Sequence, residues 1–154
     1  MEFRTAERAD VPAILALLAD DDISRARGFG AASVVAEDAD AAVWAAFEAI
    51  DASPNDELIV GELDGRTVAT CQLTFTPGLS RGGAWRMTIE AVRVASAHRG
   101  GGIGRTMMAW AIDRARERGC RIVQLTTDKR RLDAHRFYES LGFTASHEGM
   151  KLLL

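Results

Sequence analysis

The sequence predicts an α/β fold with a mixed sheet, and three features of the chain support this prediction. Runs of residues typical of strands alternate with segments whose apolar side chains repeat at helical spacing. Between two of these runs, Asp64-Gly65 predicts a β-hairpin, because a type I′ turn needs positive φ values. Further along, a strand-like run that ends at Val94 leads into a glycine-rich turn and then into a helix.

The first half of the chain predicts a strand, two helices and a hairpin, in that order. Asp10 is the predicted N-cap of the first helix, and Pro12 is tolerated in its first turn. This helix would bury one face, made of Val11, Ile14, Leu15 and Leu18. The other elements are a first strand at Glu2–Thr5, a second helix at Asp38–Asp51 and a hairpin of Leu58–Leu63 with Thr67–Phe75.

The second half of the chain predicts two further strands, two helices and a final hairpin. Strict alternation along the strand Trp85–Val94 divides its residues between the two faces of the sheet. One face would carry Thr88, Glu90, Val92 and Val94, and the other would carry Ile89, Ala91 and Arg93. The helix after the glycine-rich turn would end at Gly119. The remaining elements are a loop at Thr76–Gly83, a strand at Ile122–Thr127, a helix at Asp133–Leu141 closed by Gly142, and a hairpin over Phe143–Leu154 broken near Gly149.

The composition is that of an ordinary globular chain of 154 residues, with 47% hydrophobic and 27% charged residues. No repeat, linker or low-complexity tract is seen, so a single domain over residues 1–154 is expected. The absence of a signal peptide and of a membrane-length apolar run predicts a cytoplasmic protein with no membrane partner. A net charge of −3 without a long basic stripe argues against nucleic-acid binding. Cys71 and Cys120 are isolated within apolar runs, which favours buried free thiols over a disulfide or a metal site.

The glycine-rich turn at residues 99–105 is the strongest functional feature of the sequence. Glycines adopt positive φ, so that main-chain N–H groups turn toward one point, and the following helix adds unpaired N–H groups and the positive end of its dipole. Such a turn suits a phosphate or a diphosphate. The P-loop pattern fails because its first glycine position holds Arg99 and its lysine position holds Arg105. The Gly-x-Gly-x-x-Gly pattern also fails, because its last position holds Arg105 or Met107.

Two motifs follow one another in the second half of the chain. Residues Arg99-Gly100-Gly101-Gly102-Ile103-Gly104 have the form Arg-x-x-Gly-x-Gly, and Ala134, Tyr138 and Gly142-Phe143 have the form Ala-x-x-x-Tyr-x-x-x-Gly-Phe. With these motifs the chain resembles the GNAT superfamily of acyl-CoA-dependent N-acetyltransferases. The resemblance implies a GNAT-type mixed, mostly antiparallel central sheet flanked by about four helices. It also implies transfer of an acetyl group from acetyl-CoA to a primary amine, by direct attack in a ternary complex and with no metal.

The resemblance assigns the cofactor site to the strand before the turn and to the turn itself. Main-chain N–H groups of the turn would bind the diphosphate of acetyl-CoA, from Arg99, Gly100, Gly101, Gly102, Ile103, Gly104 and Arg105. Val92 and Val94 would pair through their backbones with the pantetheine arm, while their side chains remain in the strand. N–H donors near the thioester carbonyl would stabilise the oxyanion of a tetrahedral intermediate.

Two residues would move protons in the reaction that the resemblance implies. An amine with a pKa of about 10 is mostly protonated at neutral pH, so the reaction needs a general base. Glu90 is the predicted base, directly or through a water. The alternative is a surface-facing or ion-paired Glu90, with Asp128 and the acidic run at Asp20 as fallback bases. Tyr138 is the predicted general acid for the departing thiolate, and the alternative is a ring that only anchors its helix beside Phe137.

The acceptor and the partners are left open by the sequence. The run Asp20-Asp21-Asp22 would either receive a cationic acceptor or form a helix exit in solvent, and Lys129-Arg130-Arg131 would lie near the cofactor phosphates or in a solvated loop. Similar proteins often carry Asn three residues before the motif alanine, a position that holds Arg131 here, so Arg131 or Asp133 would replace that contact. A small-molecule or peptide amine is the expected acceptor. Dimers are frequent among similar proteins, although no residue here specifies a homodimer interface. The alternative function is a non-catalytic acyl-CoA-binding sensor of the same fold.

Overall fold

Five strands and four helices of more than one turn form the described part of the chain, residues 1–20 and 41–154 of a computed structural model. The strands are β1 (Glu2–Thr5), β2 (Asp56–Leu63), β3 (Arg66–Thr76), β4 (Trp85–Val94) and β5 (Cys120–Leu125). The helices are α1 (Val11–Ala19), α2 (Ala41–Asp51), α3 (Ile103–Glu117) and α4 (Leu132–Glu139). Short helical turns lie at Arg8–Asp10 and Ser96–His98, and a tight turn with positive φ at Arg81 and Gly82 lies at Ser80–Gly83.

The sheet has the strand order β1-β2-β3-β4-β5, and its first three strand pairs are antiparallel. β2 and β3 are the predicted hairpin, with φ values of 50° at Asp64 and 73° at Gly65. Both values are positive, as a type I′ turn requires. The helix α3 connects β4 to its neighbour β5, as the predicted strand, turn, helix and strand require. The predicted α/β fold with a mostly antiparallel sheet is therefore confirmed.

Each face of the sheet packs against a different helix. On one face, Phe3 lies opposite Gly61, and its ring lies 6.0 Å from that of Trp110 on α3. A Cβ on Gly61 would lie 2.8 Å from the Phe3 ring, so this close approach requires glycine. On the other face, Val60 packs with Ile14 of α1. The α3 side chains that are buried completely or nearly so are Met107, Met108, Ala111 and Ala115.

The start of α1 differs from the prediction in its hydrogen bonds. Asp10 precedes the helix, as predicted, but its side chain does not cap α1. Its carboxylate instead accepts the N–H of Glu7 at 2.8 Å and two bonds from Arg4. The charged guanidinium and the tight turn at Arg8–Asp10 hold the carboxylate away from the first turn of α1. The buried face of this helix includes Leu17, which was not predicted, whereas Leu15 and Leu18 are only half-buried.

Several predicted boundaries agree with the structure and several do not. The strand Trp85–Val94 is confirmed, and Gly119 follows the end of α3 with a φ of 71°. The structure places β5 two residues earlier than predicted, and the predicted loop at Thr76–Gly83 contains a tight turn at Ser80–Gly83. The predicted second helix is present at Ala41–Asp51, and its first three predicted residues lie outside the described part of the chain.

The predicted C-terminal hairpin over Phe143–Leu154 is wrong, because the structure shows no strand in this segment. A strand is stabilised by a paired neighbour and by a covered face. The apolar side chains at the end of this segment are 85–117% exposed, namely Met150, Leu152, Leu153 and Leu154. The hydrophobic burial that would stabilise the hairpin is therefore missing.

The chain divides into two compact units, Met1–Gln124 and Leu125–Leu154. The first unit contains α1, α2, α3 and the sheet up to Gln124, and the second begins at Leu125, the last residue of β5, and contains α4 and the C-terminal segment. The expectation of a single domain over residues 1–154 stays a prediction. No helix in residues 1–20 and 41–154 combines the length and the apolar character that a membrane crossing needs.

Candidate functional site

The glycine-rich turn connects the end of β4 to the start of α3, as the sequence predicts. Gly100 has a φ of 80° and Gly102 a φ of 85°, which confirms that two glycines of the turn adopt left-handed backbone conformations. A Cβ added at either position would meet no atom within 4 Å. Backbone conformation, rather than crowding, therefore requires glycine at both positions, and the space above them is open.

The N-terminus of α3 follows directly from these glycines. The first helical hydrogen bond runs from the N–H of Thr106 to the carbonyl of Gly102 at 3.0 Å. The helix therefore has no carbonyl four residues before Ile103 or Gly104, and the N–H groups of these two residues have no acceptor within the helix. They lie at the positive end of the helix dipole, next to the charged side chain of Arg105. A negatively charged group suits this position.

Arg99 makes contacts that the sequence did not predict. Its Nε donates to the carbonyl of Val94 at 3.0 Å. Its Nη2 donates to the main-chain carbonyl of Asp20 at 2.6 Å and lies 3.4 Å from the carboxylate of the same residue. Its main-chain N–H donates to Ser96 at 3.3 Å. The guanidinium thus connects the glycine turn to the last residue of β4 and to the end of α1.

A β-bulge lies near the end of β4. Glu90 lies opposite Gln72 and Arg93 lies opposite Thr70, so two residues of β4 face the single residue between Thr70 and Gln72. Ala91 is one of these two residues and has a φ of 53°, which is unusual for a residue other than glycine. The backbone of β4 is therefore locally strained at this point.

The bulge corrects the predicted faces of β4. Because Thr70 and Gln72 share a face of β3, their partners Arg93 and Glu90 also share a face, contrary to the prediction. Val94 lies opposite Ala69 and therefore lies on the opposite face from Glu90. The extra residue at the bulge shifts the alternation by one, and strict alternation fails from Ala91 onward.

The backbone groups of Val94 face away from β3. The N–H of the next residue, Ala95, donates to Val68 on β3 at 2.9 Å. Successive residues of a strand direct their N–H and C=O groups to opposite sides, so those of Val94 face the β5 side. The carbonyl of Val94 accepts Arg99, and the carbonyl of Val92 accepts the guanidinium of Arg93 at 2.8 Å. Arginine side chains therefore bind both of the carbonyls that were predicted to pair with pantetheine.

The predicted carboxylate bases have different surroundings. Glu90 is exposed on β4, as the surface-facing alternative requires. Asp128 is engaged by Arg130, which donates to its two carboxylate oxygens at 3.0 Å each. Asp20 accepts the N–H of Ser96 at 2.9 Å, and Asp21 and Asp22 lie outside the described residues. Of the three, Glu90 is the one that is exposed, whereas the side chains of Asp20 and Asp128 are 35% and 12% exposed.

Tyr138 lies on α4 in the second unit, where the end of the helix holds its ring. Gly142, with a φ of 91°, donates its N–H to Glu139, and Phe143 donates its N–H to Tyr138. This pair of bonds is a Schellman motif, which commonly brings the side chains at these two positions into contact. The rings of Tyr138 and Phe143 are 6.0 Å apart, and Phe137 lies 5.2 Å from Tyr138. The Tyr-x-x-x-Gly-Phe spacing thus encodes a helix end that fixes the phenol ring.

The cysteines are both free thiols, as predicted. Burial raises the pKa of Cys71 to about 12, so this thiol stays protonated near neutral pH and is a poor nucleophile. Cys120 was predicted to be buried but is only half-buried, because it lies at the first position of β5. Within the described ranges, no group of three or more His, Cys, Asp and Glu side chains is placed to bind a metal.

A cavity of about 450 Å³ opens beside the glycine turn. It shares Arg99, Gly101 and Ile103 with the predicted diphosphate site. The other lining residues are Met1, Leu63, Ala97, His98 and Thr106. No sequence pattern pointed to this cavity, because Met1 and Leu63 lie far along the chain from the glycine turn.

Residues 17–143 match the Acetyltransferase (GNAT) family. Glucosamine 6-phosphate N-acetyltransferase from Trypanosoma brucei brucei is 35% identical over 88 residues, which are 57% of this chain and 58% of that protein. Aminoalkylphosphonate N-acetyltransferase from Salmonella typhimurium is 40% identical over 63 residues, which are 41% of each chain. The chain thus spans about half the length of the curated relatives it matches.

Among solved structures, a protein described as a transcriptional regulator from Bacillus halodurans C-125 is 46% identical. It superimposes with a TM-score of 0.92, and the match covers 99% of both chains. The glucosamine-6-phosphate N-acetyltransferase from Arabidopsis thaliana superimposes with a TM-score of 0.77 over 99% of this chain and 97% of that one. At 22% identity, this second likeness concerns the fold alone.

Proposed function

The chain belongs to the Acetyltransferase (GNAT) family, and from this we propose that it transfers an acetyl group from acetyl-CoA to a primary amine. The amine attacks the thioester directly, in a ternary complex of protein, acetyl-CoA and acceptor. The observation that carries the proposal is the glycine turn, with positive φ at Gly100 and Gly102, at the N-terminus of α3. This turn suits the diphosphate that acetyl-CoA contains.

In this proposal, main-chain N–H groups of residues 99–105 bind the diphosphate. The N–H of Arg99 also serves the preceding turn, so the groups from Gly100 onward provide most of the binding. The backbones of Val92 and Val94 pair with pantetheine on the side of β4 that faces away from β3. Because arginine side chains bind both carbonyls, pantetheine either shares these acceptors or displaces the guanidinium groups.

The bulge in β4 supplies the oxyanion donors. A bulge leaves one residue unpaired in the ladder, and here it lies at Ala91 and Val92, between Glu90 and the proposed pantetheine site. A main-chain N–H freed in this way stabilises the oxyanion of the tetrahedral intermediate without reorganisation during the reaction. The strained φ of Ala91 supports this role, because strain often persists where a site requires it.

Glu90 and Tyr138 provide the two proton transfers. Glu90 takes a proton from the amine through a bridging water, which its exposed position allows. Tyr138 donates the phenol proton to the thiolate of CoA, because a phenol with a pKa of about 10 stays protonated at pH 7. Fixation of the ring by Phe143 and the helix end supports a defined direction for this donor.

The acceptor is a small amine in this proposal. Two of the curated relatives are named for aminoalkylphosphonate and glucosamine 6-phosphate. Both named acceptors are small amines that carry a phosphorus oxyanion, and such amines are therefore the first acceptors to test. A peptide amine is the second class.

A second candidate function is a non-catalytic acyl-CoA sensor of the same fold. The observation in its favour is the 46% identical structure, which is described as a transcriptional regulator. The presence of Tyr138 favours the enzyme, because a sensor has no need for a proton donor to the thiolate.

The experiment follows thiol release from acetyl-CoA with a panel of small amines and peptides. The wild-type protein is expected to release CoA with at least one amine. Tyr138 is the only tyrosine in the chain, so Tyr138→Phe removes the only phenol. This variant is expected to lower kcat by about 100-fold while the affinity for acetyl-CoA stays within about twofold. Tight CoA binding without thiol release from any amine would support the sensor instead.

A further inference from the structure

Asp20 connects the end of α1 to the glycine turn and to the residues just before it, although 76 or more positions of sequence separate them. Its carboxylate accepts the main-chain N–H of Ser96 at 2.9 Å and lies 3.4 Å from Nη2 of Arg99. Its own carbonyl accepts the same Nη2 at 2.6 Å. Asp20 therefore contacts two residues that precede the first glycine of the turn.

These contacts hold the segment that joins β4 to the glycines. Ser96 begins the short helical turn Ser96–His98, and the preceding residue, Ala95, has no side chain that could cap it. The carboxylate of Asp20 provides this cap from another part of the chain. Arg99, held between Val94 and Asp20, fixes the other end of the same segment.

We propose that Asp20 is a positioning residue for acetyl-CoA binding. By holding Ser96 and Arg99, it keeps the N–H groups of Gly100–Gly104 directed toward the diphosphate before the cofactor arrives. Pre-organisation of this kind strengthens binding, because less order has to be imposed on the turn when the ligand binds. The inference rests on the proposed function. It also gives the Arg99 side chain a role in holding the turn, separate from direct contact with a phosphate.

Asp20 makes a stronger contact to this segment than an ordinary surface ion pair would. The side chains of Asp20 and Arg99 are 35% and 52% exposed, and ion pairs with this exposure contribute little by charge alone. The bond to the main-chain N–H of Ser96 is different, because a cap satisfies a donor that has no other acceptor in its turn. The ion pair with Arg99 and the bond to Ser96 can be tested separately, because Asp20→Asn keeps an oxygen acceptor and loses the charge.

The test uses three variants and steady-state kinetics. Asp20→Ala is expected to raise the KM for acetyl-CoA about three- to tenfold, the effect of losing one hydrogen bond of ordinary strength, with kcat within about twofold. Asp20→Asn is expected to recover at least half of this loss on a logarithmic scale. The matched control is Asp113→Ala, which removes an exposed carboxylate 2.6 Å from Arg116 on α3, and which is expected to leave both constants unchanged.

Hydrogen exchange on the protein without cofactor gives a readout that does not depend on activity. Asp20→Ala is expected to speed exchange of the N–H groups of residues 96–104 about three- to tenfold, with the central strands unchanged. If this local effect occurs but the wild-type protein binds no acetyl-CoA, the proposed function fails and the structural role of Asp20 stands. Unchanged exchange in the turn, a uniform increase over the whole chain, or a fall in kcat with an unchanged KM would each overturn the positioning role.

Discussion

Asp10 shows how one buried carboxylate organises the N-terminal part of the chain. It is 8% exposed and accepts bonds from Arg4 at 2.7 and 3.0 Å, from the N–H of Glu7 at 2.8 Å and from Thr67 at 3.4 Å. Bonding to the Arg4 guanidinium, followed by the bond from Glu7, lowers the pKa of Asp10 below its ordinary value of 3.8. The ionised form therefore stabilises the contact between β1, the turn at Arg8–Asp10 and β3.

Asp10→Asn is expected to change the acid stability of the protein. Because the folded-state pKa is lowered, the stabilisation is fully present above pH 3.8 and is lost as the pH falls through the folded-state value. The variant should be less stable at pH 7 by about 1–3 kcal/mol, since it loses a charge-assisted pair with Arg4. Its free energy of unfolding should also fall less steeply than that of the wild type below pH 4. Urea unfolding at several pH values measures both. Parallel curves for the two proteins would contradict the account, and Asp113→Asn is the exposed control.

Asp10 and Asp20 show what sequence reasoning misses at the scale of single residues. The sequence predicted an N-cap at Asp10 and a helix exit or acceptor contact at Asp20, both from local context. In the structure, Asp10 binds Arg4, and Asp20 binds Arg99 and Ser96. The partners of Asp20 follow 76 and 79 positions later in the chain, and no local pattern identifies such a partner. By contrast, positive φ within the glycine turn was predicted correctly, because it is a property of glycine itself, and the structure places it at Gly100 and Gly102.

At the scale of elements, β4 was predicted with its observed bounds, but its faces were assigned incorrectly after Glu90. Successive side chains of a strand point to opposite faces because the backbone is pleated. The faces match those of the neighbouring strand only while each residue lies opposite a single partner. The bulge breaks this condition at Ala91, an alanine with a φ of 53°. Alanine gives no sign of a bulge, whereas a glycine at the same position would have suggested one. The segment that we propose to supply the oxyanion donor was therefore the least predictable from sequence.

The glycine turn permits a matched pair of substitutions, Gly102→Leu and Gly65→Leu. The φ values are 85° and 73°, and a Cβ at either position meets no atom within 4 Å. Each substitution should therefore cost a similar 1–2 kcal/mol of stability, roughly the strain of a left-handed residue. Only Gly102→Leu should lose affinity for acetyl-CoA, by at least about tenfold, because its side chain enters the space proposed for the diphosphate. Thermal unfolding and a binding titration measure the two effects. Equal affinity in both variants would remove Gly102 from the site.

At the scale of the whole molecule, the proposed chemistry divides between the two units of the chain. The glycine turn and β4 belong to Met1–Gln124, and Tyr138 belongs to Leu125–Leu154. Substitutions in the first unit therefore test cofactor binding, and a substitution of Tyr138 tests proton donation separately.

The sequence predicted the sheet and the helices well because each is a periodic pattern. It failed for the segment Phe143–Leu154, where strand-like residues are exposed and form no strand.

The most direct test of the central claim is a calorimetric titration of the wild-type protein with CoA and, separately, with pantetheine. Pantetheine retains the arm and the thiol of CoA but lacks the diphosphate and the adenosine 3′-phosphate attached to it. If main-chain N–H groups of the glycine turn bind the diphosphate, CoA should bind at least about 100-fold more tightly than pantetheine, a difference of about 2.7 kcal/mol. No heat on titration with CoA, or equal affinities for the two compounds, would contradict the account.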